Sequence, residues 1–345
     1  MDMAAEQQNL KWLDAKNDIG IEGQGWTETE CPYDRFPAKA EAVLTNPAVW
    51  NLSKSPTGLC THFRTNATDI TLRWELLDER QTEDPFTRCA YSGFDLYAME
   101  EGAWRWVACT NAFEASRTPT RVIAAGLDGK EREYRLYMPM RNRLLRAEIG
   151  VPQENTFEGI PPRNTRPVVI YGTSIVHGAY ASRPGLVYTA RLGRRLENPV
   201  INLGVSGSAR MEPEVADLLL ELDPAVYVLD AFPNMGIDLV EERLEMFVRK
   251  LAGGKPGVPI VVVEDFPRTN AWIMPAKRDI PEKNNRVRRI LGHLKDEGVP
   301  LFTVRGDELM GTDHEACFDG IHPGDMGYER MAATILPVLQ QALDS

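Results

Sequence analysis

Residues 158–167 read Glu-Gly-Ile-Pro-Pro-Arg-Asn-Thr-Arg-Pro, and neither a helix nor a central strand can run through them. Adjacent prolines remove two backbone donors and fix φ at both positions. This is the strong linker signal of the chain, and the sequence changes character across it. With 345 residues the chain exceeds one typical core, so two domains are expected, at 1–160 and 166–345.

Before the linker, residues 61–65 and 69–76 alternate apolar and polar side chains, as half-buried strands do. Residues 94–99 and 103–107 flank Glu100-Glu101-Gly102, a hairpin with a short glycine-containing turn. Further strands are expected at 134–138 and 144–151. Together they predict an N-terminal β-sandwich of jelly-roll-like type. After the linker the pattern alternates instead. Apolar runs near 168–171, 199–201, 225–229, 259–263 and 301–304 are separated by helical periodicity at 184–196, 215–222, 238–251, 282–295 and 326–343. Such alternation predicts a parallel sheet covered by helices on both faces, a three-layer α/β/α domain of flavodoxin-like type.

In open α/β sheets ligands bind beyond the carboxyl ends of the strands, and candidate chemistry collects there. The first apolar run ends in Gly172-Thr173-Ser174. Near the C-terminus stands Asp319-Gly320-Ile321-His322-Pro323, where an aspartate three residues before a histidine can orient its imidazole. Asn202-Leu203-Gly204-Val205-Ser206-Gly207 follows the second strand, and a glycine there lets a backbone N–H approach a reacting carbonyl. The third strand leads into Asp230-Ala231-Phe232-Pro233-Asn234, whose terminal amide offers a second donor.

Taken in order, these blocks resemble the SGNH (GDSL-type) hydrolase superfamily over roughly residues 166–345. The resemblance implies a serine esterase with Ser174 as nucleophile, His322 as base and Asp319 as its orienter. It implies an oxyanion hole built from Ser174, Gly207 and Asn234, and no cofactor or metal. Thr173 stands where the family has an aspartate, and Phe232-Pro233 stands where many relatives have glycines. A subgroup carries an N-terminal β-domain with a Gly-x-Asp-Leu-Tyr signature, which Gly93-Phe94-Asp95-Leu96-Tyr97 matches. Relatives of that kind imply short acyl esters of carbohydrates as substrates, acetyl first among them. The rivals are a non-catalytic carbohydrate-binding protein with a degenerate hydrolase domain, or a thioesterase or peptidase.

Two further residues are candidate substrate contacts. His177, three residues after Ser174, is expected as a pocket wall. Trp272 lies in the long loop 264–282 on the ligand side of the sheet, where it either stacks on a sugar face or packs beneath the loop.

Composition excludes other classes. A net charge of −11 argues against nucleic-acid binding. No apolar run approaches the ~20 residues that cross a bilayer. The five cysteines form no Cys-x-x-Cys pair; their odd number favours free thiols and leaves disulfides as the alternative. Asp313-His314-Glu315 lacks a second ligand group at metal spacing. The first residues have neither a basic nor an apolar segment of a signal peptide. A cytoplasmic protein is expected, or a periplasmic or secreted one whose leader has been removed.

Overall fold

The computed structural model describes residues 9–80, 82–110, 116–275 and 279–345. It contains two compact units. The first comprises Met1–Arg35, Lys54–Asn164 and Arg183–Gly185; the second comprises Phe36–Ser53, Thr165–Ser182 and Leu186–Ser345.

The first unit is a sandwich of two antiparallel sheets. Its strands are β1 (Leu10–Asp14), β2 (Cys60–Thr65), β3 (Ile70–Leu76), β4 (Asp95–Glu100), β5 (Ala103–Cys109), β6 (Thr120–Ala124), β7 (Arg132–Tyr137), β8 (Leu144–Pro152) and β9 (Phe157–Ile160). One sheet runs β1-β8-β3-β6 and the other β5-β4-β7-β2-β9. Inward side chains of both merge into one core: Leu72, Trp74 and Ile149 from the first sheet, Phe63, Leu96 and Leu136 from the second. Each such side chain contributes roughly 1.5–3 kcal/mol on burial. The stretch expected as linker begins as edge strand β9, paired antiparallel with β2. Pro161 and Pro162 then end the ladder, having no N–H to donate.

The Gly-x-Asp-Leu-Tyr signature also acquires a structural role here. Asp95 is fully buried and accepts from Arg183 Nη1 at 2.8 Å, Gly185 N at 2.8 Å and Trp106 Nε1 at 2.9 Å. Arg183 Nη1 also donates to Tyr97 Oη at 2.6 Å. These bonds explain one departure from expectation. The helix predicted over 184–196 is broken, with a 3₁₀ turn at Pro184–Leu186 before the α-helix Tyr188–Arg195. Arg183 and Gly185 are tied into the sandwich and cannot continue a helical course.

The second unit is the α/β domain. Strands β10 (Val168–Gly172), β11 (Val200–Gly204), β12 (Val226–Asp230), β13 (Ile260–Val263) and β14 (Leu301–Val304) form a parallel sheet in the order β11-β10-β12-β13-β14. After the linker its helices are α1 (Ser174–His177), α2 (Tyr188–Arg195), α3 (Pro213–Leu220), α4 (Ile237–Gly254), α5 (Ile280–Asp296) and α6 (Asp325–Leu343), and residues 36–53 add two short helices, Ala40–Val43 and Pro47–Ser53. Helices α2 and α6 pack together in one layer, while α3, α4 and α5 pack in series in the other. Tyr171 of β10 stacks on Phe247 of α4, whereas Asn202 of β11 bonds Thr189 of α2. The order is the flavodoxin-like one, and it reverses direction at β10. The carboxyl ends of β10 and its neighbours are therefore where ligands bind in sheets of this order. Among the described residues no helix is long and apolar enough to cross a membrane.

Candidate active site

Gly172 ends β10 pressed against the next strand. A Cβ there would lie 2.3 Å from the Asp230 carbonyl oxygen and 2.4 Å from Val176 Cγ2, so only glycine allows this approach. The chain then turns into the four-residue helix α1. Thr173 caps it, its hydroxyl accepting from Ile175 N at 3.3 Å, while its own N–H donates to Asp230 O at 3.2 Å. A hydroxyl thus holds the loop in the place of the family aspartate, by ordinary N-cap chemistry.

Ser174, the first residue of α1, presents its Oγ 2.8 Å from His322 Nε2. On the far side of the imidazole, Nδ1 lies 2.8 Å from Asp319 Oδ2. The other carboxylate oxygen, Oδ1, accepts from His322 N at 2.7 Å and Ile321 N at 2.9 Å. The three-residue spacing is what permits this: one carboxylate folds the loop and holds the ring at once. Burial opposes ionisation of Asp319, but the bonds from His322 N, the His322 ring and Ile321 N outweigh it and hold the carboxyl below its usual range. The structure therefore brings Ser174, His322 and Asp319 together.

Gly207 lies in the loop after β11 with φ +70°, a left-handed conformation suited to glycine, and open space where a Cβ would be. Asn234 ends the 3₁₀ turn Phe232–Asn234 that follows β12. Pro233 falls at the start of that turn, where its missing N–H costs no bond. The Oδ1 atom of Asn234 is buried without a hydrogen-bond donor. His177 is completely buried, and its Nδ1 lies 3.1 Å from Ser206 Oγ. It thus contacts the loop that carries Gly207. Trp272 is 64% exposed, so it does not pack beneath its loop. Of that long loop, residues 276–278 lie outside the described residues.

Other nucleophile and metal candidates are tied up. Burial pushes the Cys317 thiol up to about 11, which keeps it from being a thiolate near neutrality. Asp313 pairs with Arg330 at 2.7 Å. In the sandwich, Glu22, Cys60 and His62 approach one another within 4.8 Å. Arg163 grips both carboxylate oxygens of Glu22, at 2.6 and 2.9 Å, and accounts for its burial.

Residues 165–340 match the sequence profile of the GDSL-like lipase/acylhydrolase family. The chain belongs to this family. Residues 10–157 match the N-terminal region of SGNH-hydrolase-type esterases. Among solved structures, a protein of Bacteroides ovatus described as a GDSL-like lipase is similar at 30% identity and a TM-score of 0.89, with 97% of this chain and 98% of that one covered. The salicylyl-acyltransferase SsfX3 from a tetracycline biosynthetic pathway shares the fold at 17% identity and a TM-score of 0.75, covering 97% and 98%. A family two carbohydrate esterase of Cellvibrio japonicus does so at 12% identity and 0.62, again covering 97% and 98%. No curated protein matches the chain. Membership of this GDSL family makes the chain an SGNH-type hydrolase of the esterase kind.

Sequence reasoning passed over Asp230, which lies buried behind the nucleophile loop and accepts from Tyr188 Oη at 2.9 Å. Burial pushes its carboxyl up to about 8; the Tyr188 bond works against the rise and Asp265 adds to it. The folded state thus keeps a proton that the unfolded chain, at a carboxyl pKa of about 3.9, has released. Stability from this proton is full below that unfolded value and is lost as pH rises through about 8. Asp230→Asn keeps the shape and the acceptor without titrating. Urea unfolding at roughly pH 5 and pH 8.5 is expected to show a larger loss for the parent than for the variant. Equal losses would mean that Asp230 is ionised in the fold.

Proposed function

We propose that this protein is a serine esterase that removes short acyl groups, acetyl first among them, from carbohydrates. The observation that carries the reading is the unbroken relay from Ser174 Oγ through His322 to Asp319, with both links at 2.8 Å. Ser174 attacks the ester carbonyl while His322 Nε2 takes its proton, and Asp319 stabilises the imidazolium. N–H groups of Ser174 and Gly207, with the Asn234 amide, receive the oxyanion. His322 returns the proton to the leaving alcohol, and water repeats the cycle on the acyl-enzyme. The carbohydrate assignment is supported by fold neighbours: family two carbohydrate esterases of Cellvibrio japonicus and Clostridium thermocellum, and an acetyl xylan esterase from Butyrivibrio proteoclasticus.

A fluorophosphonate probe should label Ser174, and p-nitrophenyl esters of increasing chain length should show the highest kcat/KM at acetyl. Absence of labelling would favour the non-catalytic binding protein. Faster turnover of eight-carbon than two-carbon esters would overturn the short-acyl assignment. The oxyanion role is tested separately by Asn234→Ala. That variant is expected to lower kcat by roughly 10²–10³ with little change in KM, because such a donor acts on the transition state. A raised KM at unchanged kcat would make Asn234 a substrate contact instead.

A further inference from the structure

Two aromatic side chains beside His322 have no part in the relay. Phe318 directly precedes Asp319, and the residue is 72% exposed. It is nevertheless held in place. The ring stacks on Tyr180 with centroids 4.3 Å apart and planes 19° from parallel. Phe318 N donates to His322 O at 2.8 Å, so the two residues close the ends of one loop. Tyr180 stands just beyond α1 with φ +65°, a conformation that residues other than glycine rarely adopt. Its ring centroid lies 5.4 Å from that of His322. Tyr180 thus lies against the imidazole and Phe318 against Tyr180, an aromatic pair flanking the base whose outer face is that of Phe318.

Position assigns that face to one half of the ester. In acyl transfer, Nε2 of the base must reach the leaving oxygen, so the departing alcohol passes beside the imidazole and whatever flanks it. The carbonyl oxygen points elsewhere, to the oxyanion donors. We infer that Tyr180 and Phe318 form the subsite for the leaving alcohol, and that it takes an alcohol bearing a ring laid face-on against Phe318. This rests on the Ser174–His322 reading above. A pyranose with its flat C–H face and an aryl alcohol share the required chemistry; an acyclic alcohol offers no face to stack.

The test compares esters of one acyl group. For the parent, Phe318→Ala and Phe318→Tyr, kcat/KM is measured on a pyranose monoacetate, on p-nitrophenyl acetate and on trifluoroethyl acetate, whose activated alcohol is acyclic. Phe318→Ala is expected to lower the ring-to-acyclic ratio about tenfold, the size of one good stacking contact. Phe318→Tyr, which keeps the flat face, should restore the ratio to within about twofold of the parent. A fall for both ring esters supports the shared face, and a fall for one alone identifies which ring the subsite was built for. An unchanged ratio in Phe318→Ala, or a ratio in Phe318→Tyr as low as in Phe318→Ala, overturns the inference. Ser174→Ala, run beside them, separates the two failures. Turnover surviving in that variant would sink the triad, whereas an inactive Ser174→Ala with unchanged ratios would sink only the subsite.

Discussion

Ser174→Ala is expected to reduce p-nitrophenyl acetate hydrolysis by on the order of 10⁵–10⁶-fold, leaving only what the oxyanion donors and binding provide. The fold should survive the change. Ser174 is half-exposed at the start of a four-residue helix whose cap is the neighbouring Thr173, so the lost hydroxyl takes no structural bond with it beyond the one to His322. Circular dichroism and a urea midpoint close to the parent's would establish this. A folded variant with undiminished turnover would remove Ser174 as the nucleophile.

His322→Ala should be as severe as Ser174→Ala, and the double variant no worse than either. Nε2 faces Ser174 and Nδ1 faces Asp319 across the same ring, so removing the serine leaves the base nothing to deprotonate. Asp319→Asn should cost the same or less. It loses the charge that stabilises the imidazolium while its remaining oxygen still accepts from the backbone of Ile321 and His322. Losses that multiply strictly across Ser174 and His322 would mean that the residues work on separate steps.

The sequence was most readable where burial is complete. Strands β10, β11 and β12 are covered on both faces along their whole length, so they appear as apolar runs ending in glycine or aspartate, interrupted only by Asn202 in β11. Strands β1, β6 and β9 were not foreseen. They are short edge strands; β1 is half-buried throughout and β9 runs into the prolines, so their pairing is decided by distant partners rather than by local pattern. The site divides in the same way. Ser174, Asp319 and His322 have a motif and an order, which is how residues 148 positions apart became visible together. Tyr180 and Phe318 have neither: an aromatic beside a motif looks like any other until the fold stacks it there. His177 illustrates a different limit of sequence reading. It lies three residues from Ser174, yet nothing in the sequence marks it as the buried partner of Ser206.

The interleaving of the two units has a consequence for how such a protein changes over generations. The chain passes between them five times, at 35/36, 53/54, 164/165, 182/183 and 185/186. A single genetic crossover at the proline-rich junction would therefore bring together parts that do not belong to each other. The incoming hydrolase half would lack its own residues 36–53, and its Arg183 and Gly185 would have to find a foreign aspartate in place of Asp95. Arg183 without that carboxylate, or Asp95 without the arginine, leaves a buried charge uncompensated, a defect of about 3–5 kcal/mol. Sandwich and hydrolase are thus linked in descent, and a recombinant between relatives should fold only where the incoming sandwich also carries an aspartate at position 95 to meet Arg183 and Gly185.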